Sequence, residues 1–259
     1  MCVDACFQHV RCAKAGSSDP GVEGPWTVFL SEEAVNSAQK LVEQYRSKAG
    51  SQRSKQKTKK DGLNEEDTTE PGLPFPISVF DECERSFVAP NENQSKVASG
   101  IFSDTGLMAL ICWHDHVLYM VNMTSSGEKQ FYAIALLQAL FGELPHWWKM
   151  GILYDISCQL DRSMKKVSRA SYSNLLLMQD ITVSLQWNML PSIWPRIEWG
   201  VSVFHAFAHQ WPCQCVYNPQ KHEGFGQSDG EGCERCWGRL KKWISIYYVS
   251  GVSLIHLWM

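Results

Sequence analysis

The chain has 259 residues, 44% of them hydrophobic, and its eleven Trp and eleven Phe suit a packed interior and exclude a disordered chain. A formal net charge of -3 excludes a uniformly basic nucleic-acid binder, so any DNA contact must come from local patches or from further sequence. No apolar run has the length of a membrane span, and the first residues do not read as a secretory signal, so no membrane partner is expected.

Residues 2–7 read as a short strand holding one acid, Asp4. A core strand seldom opens a domain at its first residue, which predicts missing upstream sequence. Residues 13–25 carry Gly, Ser, Asp and Pro and read as loop. Ser31 is placed to cap a helix running to about Lys48, with Glu32 and Glu33 in its first turn and Arg46 and Lys48 in its last. Its predicted apolar stripe is Ala34, Val35, Ala38, Leu41, Val42 and Tyr45. Residues 50–72 hold a basic block and then an acidic one, the composition of a disordered linker. Nuclear import or DNA contact by the basic block stands as the alternative to a solvated loop.

Order resumes near Pro74. Residues 98–123 predict two strands of a hairpin or meander, with Asp104-Thr105-Gly106 as a break. Residues 128–143 predict an amphipathic helix with Phe131, Tyr132, Ala135, Leu136, Ala139 and Leu140 on one side. Residues 149–160 read as a buried strand ending in an acid, Asp155, and residues 198–207 as a further apolar run. A last helix is predicted to begin at Ser228 or Asp229. Strand with acid, two strands, helix, strand with acid, strand, helix with acid is the order of an RNase H-like α/β fold. That fold has a mixed sheet of about five strands flanked by helices.

Such an order permits a particular chemistry. Two divalent ions held between carboxylates from different elements serve phosphodiester cleavage, and Mg²⁺ or Mn²⁺ suits hard oxygen ligands. Asp4 and Asp155 stand at strand positions that could converge, and Glu231 and Glu234, three apart, share one face of the last helix. Against this, Asp4 reads equally as a surface acid, Asp155 as a turn cap, Glu231 as a complement to the helix dipole and Glu234 as an ion-pair partner.

Ten cysteines in a chain of this length, without a secretory signal, point to reduced thiols in the cytosol or nucleus. His205-x3-His209-x3-Cys213 would place three ligand-type side chains on one helical face, a zinc site completed by Cys158 or Cys236. Trp211-Pro212 interrupts any such helix. A histidine beside a scissile phosphate and a purely structural histidine pair are equal alternatives. Cys112-x-His114-x-His116, with Cys83, is a weaker metal pattern, best read as structural.

Several segments, in order, resemble the Kyakuja–Dileera–Zisupton (KDZ) transposases, a family most abundant in fungi. They include Cys2–Gln8, Phe80–Ala89, Phe102–Leu137, Gly151–Met164, Ser202–Gln214 and Gly224–Trp237. The resemblance covers roughly residues 2–30, 74–166 and 187–243. It implies an RNase H-like catalytic domain using two aspartates and a glutamate, Mg²⁺ or Mn²⁺, DNA as partner, a homo-oligomeric state and nuclear location. Carried over, the acids fall on Asp4, Asp155 and a glutamate within Asp229–Trp237. The more distant hAT transposases carry a Ser-Glu-Arg-x-Phe-Ser motif similar to Glu234-Arg235-Cys236-Trp237, which favours Glu234 over its competitor Glu231.

The chain departs from its resemblance at residues 167–186, which read as an insert and, by their ends, as a retained intron. Sequencing the spliced transcript tests this, since a message containing the segment refutes it. The closing residues also drift, which predicts a fragment truncated at both ends. The expected organisation is therefore residues 1–30 as the first catalytic strand of the core and 31–73 as an inserted helix and charged linker. Residues 74–166 follow as core strands and helix, 167–186 as the insert, and 187–259 as the last core strand, the His/Cys motif and the catalytic helix. An inactive transposon-derived remnant, and an unrelated zinc-stabilised interaction module, are the competing functions.

Overall fold

The computed structural model describes residues 1–15, 28–57, 74–76, 78–80, 83, 101–125, 127–166 and 190–251. Residues 58–73 of the predicted linker and the whole predicted insert, 167–186, lie outside the described residues. The protein is mixed α/β. Seven strands are described: β1 (Cys2–Cys6), β2 (Arg11–Cys12), β3 (Phe102–Asp104), β4 (Gly106–Ile111), β5 (Val117–Met123), β6 (Met150–Tyr154) and β7 (Ile197–Gly200). Five form one mixed sheet in the order β5-β4-β1-β6-β7, flanked by helices, and β2 pairs with β3. The chain divides into two compact units.

The first unit comprises residues 1–38, 88–146 and 228–259. Here β1 runs antiparallel to β4, with Asp4 opposite Ala109, and β4 runs antiparallel to β5. All six residues of β4 are buried, so the strand is covered on both faces and its apolar run shows no alternation. The β4–β5 turn closes through Cys112 N–H to His116 C=O at 2.9 Å. Asp115 in it adopts φ 61°, a left-handed conformation that aspartate tolerates. The second helix, α2 (Gln130–Glu143), follows α1 (Glu32–Lys57) in sequence and buries more than the predicted stripe. Tyr132 through Leu137, Leu140 and Phe141 are all buried, while Phe131 and Ala139 are only half-buried. A helix apolar nearly all round is a core helix, not a surface one. Tyr132 also receives the Thr124 and Ser125 N–H groups on its hydroxyl, at 2.8 and 3.0 Å, which pins the loop before the helix.

The Ser31 hydroxyl accepts from the Ala34 N–H at 3.3 Å, so α1 begins where its capping residue predicts. Ala38 and Val42 are buried, whereas Ala34, placed in the predicted stripe, is exposed. The helix runs to Lys57, past the predicted end near Lys48 and into the basic block. Residues 51–57 are Ser, Gln, Arg and Lys, without Pro or Gly to stop a helix.

The second unit comprises residues 39–87 and 147–227. Strands β6 and β7 pair in parallel, Met150 opposite Ile197 through Leu153 opposite Gly200. Between them runs α3 (Ser157–Lys166), tied back by its Ser157 hydroxyl donating to the Gly200 C=O at 2.7 Å. Two short helices follow, α4 (Val203–Ala206) and α5 (Trp211–Tyr217). Pro212 sits in the first turn of α5, where its missing N–H costs nothing. One continuous helix through His205, His209 and Cys213 is therefore absent, as Trp211-Pro212 predicts. Asp161, on α3, accepts from Trp194 Nε1 and from the Tyr217 hydroxyl, each at 2.9 Å.

Candidate active site and metal centre

In the first unit, the last two helices are α6 (Gly232–Leu240) and α7 (Ile244–Val249). The predicted start of α6 at Ser228 or Asp229 is three to four residues early. Gly230 takes φ 80°, which interrupts the helix, and Glu231 occupies the N-cap position. Asp229 instead accepts from the Glu231 N–H at 3.0 Å and pairs with Arg235, whose guanidinium also holds Asp115 at 2.7 Å. Helix α6 packs on β1. A Cβ on Gly232 would lie 2.8 Å from Cys2 Sγ, so only glycine permits this approach.

The packing brings Trp237 to Asp4: the indole N–H donates to Asp4 Oδ2 at 2.7 Å. Glu234 lies three residues before Trp237, on the same face of α6, and is exposed. Cys6 registers both acids. Burial pushes its thiol up, and the charges of Asp4 and Glu234 push it further. Glu231 is half-buried at the helix N-cap.

In the second unit, Asp155 directly follows β6. Its side chain is 15% exposed, with Oδ2 at 3.9 Å from His205 Nδ1. Oδ1 is buried and has no hydrogen-bond partner among the described residues. Burial pushes this carboxyl above the usual carboxylate range, and His205, the Ile156 N–H and His209 recover only part of that shift. Burial of this kind favours the neutral carboxylic acid unless a positive charge stands beside it.

A second constellation lies in the same unit. The ligand atoms of Cys83, Cys158, His209 and Cys213 all lie within 4.8 Å of one another, and all four residues are buried. His209 Nδ1 stands 3.4 Å from Cys83 Sγ and 3.5 Å from Cys158 Sγ. Hydrogen bonds from Cys158 and Cys213 hold Cys83 well below its ordinary value; hydrogen bonding and burial push Cys158 up, and Cys213 rises to about 12. A Cys3His set of this kind can hold a metal ion such as zinc.

The structure therefore redraws the predicted zinc set. His209 and Cys213 belong to it, and so does Cys158. His205 does not: the break between α4 and α5 turns it to Asp155 instead. Cys236 lies on α6, in the first unit. Cys83 is recruited from a segment read as a partner of Cys112, His114 and His116. Cys112 Sγ accepts from the His114 N–H at 3.4 Å and stands 3.9 Å from His114 Nδ1, and no metal group forms around them among the described residues. No chain spacing could have signalled Cys83, since it lies 126 residues from His209. The hydrogen bond of Trp237 to Asp4 has no signal in the chain order either, and His205 has the exposed Phe204 ring edge-on at 5.7 Å.

A family model described as Kyakuja-Dileera-Zisupton transposase matches residues 1–254. The chain belongs to that family. No curated protein and no solved structure matches it. Membership makes this KDZ chain a transposase by descent, whose partner is DNA. No helix among its described residues is long and apolar enough to cross a membrane.

Proposed function

We propose that this chain is the catalytic domain of a cut-and-paste DNA transposase with an RNase H-like core, working in the nucleus as a homo-oligomer on the two ends of its element. Asp4, Asp155 and Glu234 are the metal-holding carboxylates, with Glu231 as the alternative third. Two Mg²⁺ or Mn²⁺ ions bound by them would activate the attacking water or 3′-hydroxyl and stabilise the leaving oxygen. The observation that carries this reading is Asp155. It is a largely buried carboxylate with an oxygen that has no hydrogen-bond partner among the described residues, at the strand end where the family resemblance puts the second acid.

The remaining residues support it. The Trp237 N–H fixes the rotamer of Asp4 and leaves the carboxylate charge in place. Glu234 is favoured over Glu231 because it shares the Trp237 face and acts with Asp4 on Cys6. His205, at 3.9 Å from Asp155, is positioned to contact a phosphate oxygen brought there.

Cleavage of a duplex carrying the element's terminal repeat, in Mg²⁺ or Mn²⁺, tests this. Asp155→Asn is expected to lower the rate by more than about 100-fold, beyond the ~10–100-fold typical of losing an outer-shell partner. Cleavage that survives Asp155→Asn overturns the assignment. A folded chain that binds the repeat but never cuts it favours the inactive-remnant reading.

A further inference from the structure

We infer that Cys83, Cys158, His209 and Cys213 bind a structural zinc ion in a closed tetrahedral site. Geometry supports zinc over a chance gathering of thiols. With Zn–S near 2.3 Å and Zn–N near 2.0 Å, tetrahedral ligands place sulfur and nitrogen about 3.5 Å apart. The two thiol–imidazole separations are 3.4 and 3.5 Å. The four ligands come from three separate stretches of chain: the segment at Cys83, the first turn of α3, and the α4–α5 region. All are buried, as in a closed structural site with no position left for solvent.

Charge supports it independently. Zinc with three thiolates and a neutral imidazole carries one net negative charge, which burial would penalise without a cation nearby. Arg162 supplies that cation. It is 2% exposed, four residues after Cys158 on α3 and so on the same helical face. Its guanidinium also lies 5.6 Å from the centre of the Phe80 ring, on the segment that delivers Cys83. The neighbouring acid, Asp161, has hydrogen bonds from Trp194 and Tyr217. The ion would clamp the start of α3, three residues past Asp155, to the loop that follows His205.

Zinc content of the full chain, measured by elemental analysis after dialysis, tests this without DNA, so its outcome is separable from that of the cleavage assay. Stoichiometric zinc is expected. Cys213→Ser should lose it, while Cys112→Ser, Cys236→Ser and His205→Asn keep it. Should Cys213→Ser not fold, cobalt replacement in the unmodified chain decides. Intense thiolate-to-cobalt charge transfer with tetrahedral visible bands is expected. A chain that takes up no zinc on refolding with it, a Cys213→Ser variant that retains a full equivalent, or a cobalt spectrum without thiolate bands overturns the site.

Discussion

Asp155 illustrates how burial and a nearby charge compete at one residue. Desolvation is the larger effect, and the attraction of His205, the Ile156 N–H and His209 the smaller, so the charged carboxylate costs the fold more than it returns. Asp155→Asn, with no charge to bury, should therefore raise stability at neutral pH in magnesium-free buffer by about 1 kcal/mol, seen as a higher urea midpoint. A lower midpoint would mean that the carboxylate serves the structure. His9 shows the opposite sign. Burial holds its imidazole below the ordinary value, with the Leu240 C=O acting against that shift. A depressed folded value means that stability is full above about pH 6.5, the unfolded value, and is lost as pH falls through the folded one. The wild-type urea midpoint should fall between about pH 7.5 and 5.5 more steeply than that of His9→Gln. Equal slopes would show that His9 does not titrate with unfolding.

At the level of elements, the β1–β4 pair positions Asp4, and a glycine permits it. A Cβ on Gly106 would stand 2.5 Å from the Cys6 carbonyl oxygen and 2.7 Å from Met123 Cε. The methionine can move; the backbone oxygen cannot without displacing β1. Gly106→Ala is expected to cost roughly 2 kcal/mol or more. Gly142, near the end of α2, has nothing within 4 Å of its would-be Cβ. There alanine should stabilise by about 0.5 kcal/mol through helix propensity. Thermal unfolding of the two variants checks both; similar shifts from both would contradict the packing described for β4. Helix α6 extends the same logic, since Gly232 lets it approach Cys2 on β1 and Trp237 then reaches Asp4.

Across the molecule, periodicity and turn chemistry made most elements legible. The acid-bearing strands, the hairpin after Asp104, the core helix and the break at Pro212 follow from local sequence, because each depends on neighbours a few residues away. What escaped depends on distant residues. Cys83 joins His209 only through the fold, and Trp237 reaches Asp4 across 233 positions. The start of α6 was misjudged because Asp229 looks like a cap, whereas Gly230 ends the turn it makes. One more long-range meeting has a practical side. Cys233 Sγ donates to Cys2 Sγ at 3.7 Å, and this hydrogen bond holds Cys2 below its ordinary value. Loss of two protons and two electrons to dissolved oxygen would draw those sulfurs to about 2 Å and stitch the opening strand to α6. A preparation left without reductant would then run as a covalent ring on a denaturing gel.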